Sequence, residues 1–176
     1  MSNLGDAYLD SALFRFRGAK SLGDKALAQL SDADLAWVPG EESNSIAVII
    51  QHLHGNMMSR WTDFLTSDGD KPWRDRDGEF VEPDQLVHDE LVKKWDDGWA
   101  CLFHAIESLK PDDLLRDVFI RGEKLNALDA INRQIAHVSY HVGQIVYLAR
   151  MRKGNAWQTL SIARGQSKNY KASKRD

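Results

Sequence analysis

Apolar side chains recur at steps of three and four along four stretches of the chain, and each stretch reads as an amphipathic helix. In the first, from about Gly5 to Leu30, the stripe is Tyr8, Leu9, Ala12, Leu13 and Phe16, continued by Leu22, Ala26 and Leu30. The second starts at Asn44 or Ser45, either of which can cap a helix N-terminus. Its stripe is Ile46, Ile49, Ile50, Leu53, Met57, Trp61 and Phe64, and the loop signal TSDGDKP ends it. The third takes Pro83 at its first turn and carries Val87, Leu91, Trp95, Trp99, Leu102, Ile106 and Leu109. The fourth begins at NALD, a variant of the capping box with Asp129 three residues after Asn126. Leu128, Ile131, Ile135, Val138, Val142, Ile145 and Ala149 form its stripe, and Gly154 closes it.

The prolines Pro39, Pro72, Pro83 and Pro111 fall between these stretches or at a first turn, where proline costs a helix little. The short run DVFIR (Asp117 to Arg121) is the sole strand candidate, and no segment makes a convincing strand. Helices of roughly 22–27 residues, ~35–40 Å long at ~1.5 Å per residue, predict an all-α four-helix bundle. The bundle is expected to span residues 1–155, with a tail from 156 to 176 packed in part upon it. The connection between the second and third helices is long, about sixteen residues, a length at which loops tend to carry function or their own packing.

Composition narrows the class. At 43% apolar and 28% charged residues, a chain of 176 can bury a real core as one domain. A net charge of −3 and a pI near 6.1 give no footprint of a nucleic-acid binder. The terminal KASKRD reads as a solvated tail. One cysteine, Cys101, makes no internal disulfide and fits a reducing compartment; its apolar setting suits an inert buried thiol. The first ten residues lack the features of a signal peptide, and no apolar run approaches the ~20 residues that span a bilayer. The expected location is the cytoplasm.

Candidate chemistry rests on the histidines. In HVSYH, His137 and His141 are four residues apart and share one face, at the edge of the core stripe. Residues at that spacing have Cβ atoms ~5–6 Å apart, so two imidazoles can chelate one ion, although the same spacing also suits two core histidines. A third ligand has to come from another helix. His52 and His54 lie at opposite edges of the second stripe, and helical angles do not choose between them. No glutamate follows the first histidine of the pair, so the HExxH general base of zinc proteases is absent. Three histidine ligands leave a position open, which suits catalysis better than structure.

The order of these features resembles the DinB-like (YfiT-like) superfamily of metal-binding four-helix bundles. The pattern there is a Ser-Ile start to helix two, a histidine seven residues after the serine, and a late HxxxH followed by Gly-Gln. Here SIAVIIQHLHGN (Ser45 to Asn56) places His52 seven after Ser45, and HVSYHVGQIVYLAR carries Gly143-Gln144 after His141. The stretches NSIAVIIQHLHGNMMSRWTDFLTSDGDKPWRDRDGEF and SIARGQSKNY are similar to a subfamily of small bacterial proteins without an assigned function. The resemblance implies metal ligands His52, His137 and His141, with His54 a flanking residue. It also implies nickel or zinc as the ion and a homodimer as the assembly. Asn56 and Gln144, with Gln134, are the candidates to receive the far ring N–H of the ligands. Tyr140 is expected to point away from the pair, as packing or a dimer contact. The loop KPWRDRDGEF offers either an anion-binding rim at Arg74 and Arg76 or, as we favour, a segment ordered by its own Arg–Asp pairs.

Some members of that superfamily transfer low-molecular-weight thiols such as bacillithiol or mycothiol to electrophiles, and one branch is a maleylpyruvate isomerase. The resemblance therefore implies a metal-dependent thiol S-transferase whose partners are a small-molecule thiol and an electrophile. A metal-dependent hydrolase on the same site is the alternative, as is a non-catalytic metal-binding stress-response bundle, because no general base stands out beside the histidines.

Overall fold

The computed structural model describes residues 3–169, and the stretch KASKRD lies outside them. Helix α1 (Leu4–Leu27) is followed by a single helical turn, α2 (Asp32–Leu35), then by α3 (Ile46–Trp61), α4 (His88–Ser108) and α5 (Ala127–Lys153). The four long helices form the expected all-α bundle. The most extensive pairings are α3 with α4 and α1 with α5, and contacts of α3 with α5 and of α1 with α4 close the square. No described helix is long and apolar enough to cross a membrane.

Local chemistry sets the helix ends. The Asn3 side chain accepts from the Asp6 amide while Asp6 reaches back to the Asn3 amide, a reciprocal cap that starts α1. Ser45 Oγ accepts from the Val48 amide at 3.1 Å and starts α3. Asn126 Oδ1 accepts from the Asp129 amide at 2.8 Å and starts α5, which Gly154 stops at φ 51°. The stripes meet in a core where Phe16 stands edge-on to Trp99, and Trp95 packs against Trp99 in the same way. Trp95 also bonds Asp24 through its indole N–H at 2.7 Å. Its ring lies so close over Gly23 that a β-carbon there would collide with it. Trp61, Trp95 and Trp99 are all core residues, as their spacing implied. Beyond Gly154, Trp157 and Leu160 pack against the core, and Gln158 exchanges two hydrogen bonds with Gln29.

The structure departs from the pattern at two places. Helix α4 begins at His88, not at Pro83, and α3 stops at Trp61, so the connection between them is longer than the stripes suggest. The segment before α4 is tied back across α3, where Ser45 Oγ bonds Glu82 and Gln51 Nε2 bonds the Val81 carbonyl. A chain held there cannot yet turn into a helix. At the other end Asp63 takes a positive φ of 51°, which breaks α3 while Phe64 still packs on Trp61.

The second departure is a hairpin. Strand β1 (Asp117–Ile120) pairs antiparallel with β2 (Glu123–Asn126) across a two-residue turn, Arg121 and Gly122, both at positive φ. Arg121 begins the turn, and the first four residues of DVFIR are thus a real strand. Its pairing with so short a partner holds because Val118 and Ile120 are buried and because the long α3–α4 connection clasps the turn. Asp68 accepts from the Arg121 and Gly122 amides, and the Gly69 amide donates to the Phe119 carbonyl.

Candidate metal centre

Helix α3 presents His52 toward α5, and α5 presents His137 and His141 one turn apart. One ring nitrogen from each lies within 4.8 Å of the others. The ring centroids form a nearly regular triangle with sides of 5.2, 4.8 and 4.6 Å. His54 points from the other edge of α3 into a separate surface depression shared with Trp73 and Lys94, so it is not part of this group.

Hydrogen bonds fix two of the rings. His52 Nδ1 donates to Glu79 Oε2 at 3.0 Å, which leaves the Nε2 lone pair directed inward. His141 Nδ1 donates to Gln144 Oε1 at 2.8 Å, with the same effect on its Nε2. His137 Nε2 approaches His52 Nε2 at 3.1 Å, while its buried Nδ1 has no partner. Nitrogens sharing one ion at ~2.0–2.1 Å stand roughly 3.3 Å apart in a tetrahedral site, close to the His52–His137 separation. Burial, with His141 and His52 next to it, pushes the His137 imidazole down to about 3. Burial and His52 push His141 down to about 4, against the Gln144 bond. Both are neutral at physiological pH, which is the state that binds a metal. By donor type, orientation and charge, the three imidazoles can hold a divalent ion.

Glu79 is the residue that the sequence did not single out. It enters from a 3₁₀ turn, Gly78–Phe80, in the long connection. Arg74 grips it with Nε to Oε1 at 2.7 Å and Nη2 to Oε2 at 2.8 Å. The Arg74 side chain is 1% exposed and that of Glu79 8%. Burial opposes ionisation of Glu79 more than any other single influence, yet the bonds from Arg74 and His52 together outweigh it and hold the carboxyl below its usual range. Gly55, on the adjacent turn of α3, leaves the space that the carboxylate fills. A glycine inside a helix beside HLH is the sequence signal that something approaches there.

The other expected neighbours divide. Gln144 does receive a ligand N–H. Asn56 does not, because Glu79 accepts the hydrogen bond from His52 Nδ1; Asn56 is buried with Oδ1 unpaired. Gln134 is also buried, with an unpaired Nε2, and bonds neither histidine of the pair. Tyr140 does not point away: its ring stands edge-on to His141 at 4.8 Å, and its hydroxyl accepts from Gln144 Nε2 at 3.1 Å. Exposed Tyr140 thus steadies the amide that orients His141. In the loop, Arg76 pairs with Asp70, an Arg–Asp pair of the expected kind, whereas the partner of Arg74 is Glu79. Cys101 is half-buried beside Thr62, and burial raises its thiol pKa, as suits an inert role.

No curated protein and no solved structure matches the chain. Residues 3–166 match the family model described as "Protein of unknown function (DUF1572)", and the chain belongs to that family.

Proposed function

We propose that this chain is a DinB-like bundle in which His52, His137 and His141 hold a divalent ion, nickel or zinc, and that it acts as a thiol-dependent S-transferase. The observation that carries the reading is the convergence of three ring nitrogens from two helices, two of them turned inward by Glu79 and Gln144. His52, His137 and His141 would hold the ion, and its chemistry there would be to lower the pKa of a small-molecule thiol. The chain's own part is to position and to shield. Arg74 and Glu79 set the tautomer of His52, Gln144 sets that of His141, and Phe80 covers the His52 ring at 4.8 Å. Thiol transfer is favoured over hydrolysis because Glu79, the one carboxylate at the centre among the described residues, is engaged by Arg74 and His52, and so is not free as a base.

The proposal includes a homodimer. Tyr140, Tyr147 and Met151 recur on one exposed face of α5, and Tyr140 and Tyr147 are 63% and 65% exposed. A reducing cytoplasm would keep a small-molecule thiol available to it.

Elemental analysis of purified protein, beside His52→Ala and His54→Ala, tests the site. Only the first substitution is expected to lose the metal; loss in both or in neither contradicts the ligand set. Loaded protein should then conjugate monochlorobimane to a small thiol, the sulfur displacing chloride, and His137→Ala should abolish this. Equal turnover by metal-free protein would sink the transferase reading.

A further inference from the structure

Beside the histidines lies a cavity of about 220 Å³, with His52 and His137 in its wall. Trp61, Phe64, Phe119 and Ile120 give it an apolar lining. Arg60, Arg74, Arg76, Arg121 and Arg133 also reach it, from α3, the long connection, the hairpin turn and α5. This is a large concentration of cations for a chain of net charge −3.

The charges are not all balanced. Glu79 neutralises Arg74 and Asp70 neutralises Arg76, while Arg133 stands 3.8 Å from Glu123 at the surface. Arg60 and Arg121 have no carboxylate within ion-pair distance among the described residues; Arg60 is held only by the Gly69 carbonyl at 3.0 Å. Burial, and then the neighbouring Arg74, Arg76 and Arg133, push the Arg60 guanidinium down to about 10, against the pull of Asp70. The wall residues Trp61 and Gln134 each leave a buried donor, Nε1 and Nε2, without a protein partner, and Asn56 leaves an acceptor, Oδ1. Buried polar groups are ordinarily satisfied, so these mark room for a polar ligand, and the unpaired guanidinium groups beside them select an anion.

We propose that this cavity binds a small molecule with a carboxylate or phosphate on an apolar body, the anionic group facing Arg60 and Arg121 and the body lying on Trp61 and Phe119. The volume is below the ~300–1,000 Å³ of sites for larger ligands, which limits the occupant to a small acid. Its role as a co-substrate rests on the metal-centre reading; its binding rests on the cavity alone.

Titration calorimetry on the full chain, stripped of metal with chelator, tests the binding with benzoate, phenyl phosphate and neutral benzyl alcohol. At least one anion is expected to bind, about tenfold or more tighter than benzyl alcohol, and to weaken as salt is raised. The two anions distinguish carboxylate from phosphate. Arg121→Gln, on an exposed turn, and Arg60→Gln should each weaken the better anion by about 10- to 100-fold. Because Arg60 also ties down Gly69, Arg121→Gln is the deciding variant. Binding of benzyl alcohol as tight as that of the anions, no binding of either anion, or wild-type affinity in Arg121→Gln would overturn the proposal. A zinc titration of the stripped wild-type chain keeps the two readings apart. Anion binding that follows the arginines in a chain that takes up no zinc upholds this site and removes the metal centre; zinc uptake without anion binding does the reverse.

Discussion

Removing the Glu79 carboxylate separates two roles that the structure gives it. In Glu79→Ala the Arg74 guanidinium stays buried, with Ser59 Oγ at 3.1 Å as its one remaining side-chain acceptor. Orphaning one member of a buried ion pair costs about 3–5 kcal/mol. Urea unfolding of the metal-free protein should show a loss of that size, since both partners are nearly inaccessible and the pair has two direct bonds. The second role is to hold the His52 ring. Loss of such a partner lowers metal affinity by about 10- to 100-fold, which a zinc titration against a competing dye would read. The double variant Arg74→Met/Glu79→Leu tells the roles apart. Replacing both ions with apolar groups should recover most of the stability, because a buried pair contributes little beyond its own desolvation. It should not recover metal affinity, because leucine accepts no proton from His52. A loss under ~1 kcal/mol in Glu79→Ala, or full metal affinity in the double variant, would refute the reasoning.

Other outcomes follow from single contacts. Gly55→Ala should displace Glu79, lowering metal affinity with all three histidines intact and costing about 1–3 kcal/mol; a more stable variant would contradict this. Gly23→Ala should destabilise by about 1–3 kcal/mol through collision with Trp95. Gly143→Ala, where nothing lies within 4 Å, should instead stabilise by about 0.5–1 kcal/mol. Chemical denaturation of the two variants checks the opposite signs. Asp34 accepts from Ser31 and Arg152, and Lys153 is nearby; the Ser31 amide bond leads in drawing its carboxyl down to about 2. A folded-state pKa below the unfolded value near 3.8 means stability that is present above pH ~4 and lost as pH falls toward 2. The advantage of the native chain over Asp34→Asn, about 1–2 kcal/mol at pH 7, should therefore vanish near pH 2. An advantage that does not change with pH would exclude the carboxylate as its source.

The helices were legible because their signals are local and redundant. Helix α5 has a cap at Asn126, a stripe from Leu128 to Ala149 and a stop at Gly154, all pointing to the same bounds. The start of α4 misled because Pro83 is a good first-turn residue, while the ties that keep the chain extended there, Ser45–Glu82 and Gln51–Val81, run to residues 37 and 30 positions away. The hairpin was obscured for a similar reason: its turn uses Arg121-Gly122 without Asn or Asp in the first position, and the clasp from Asp68 is long-range. At the site, angles left His52 and His54 equivalent because each flanks the stripe of α3; only the placement of α5 on one side separates them. Glu79 was invisible since its partners, His52 and Arg74, give no shared periodicity in a loop.

The Asp68 clasp has a consequence for the order of assembly. It joins residues 53 and 54 positions apart, so the chain between them, with all of α4, must be arranged before the clasp can close. The Arg121 and Gly122 amides are therefore expected to exchange with solvent through partial opening, faster than amides central to α3; exchange only at the rate of global unfolding would contradict this. The hairpin side of the cavity, with Phe119, Ile120 and Arg121, then closes after the side built by α3 and α5, and its residues can vary with little effect on how the helices assemble.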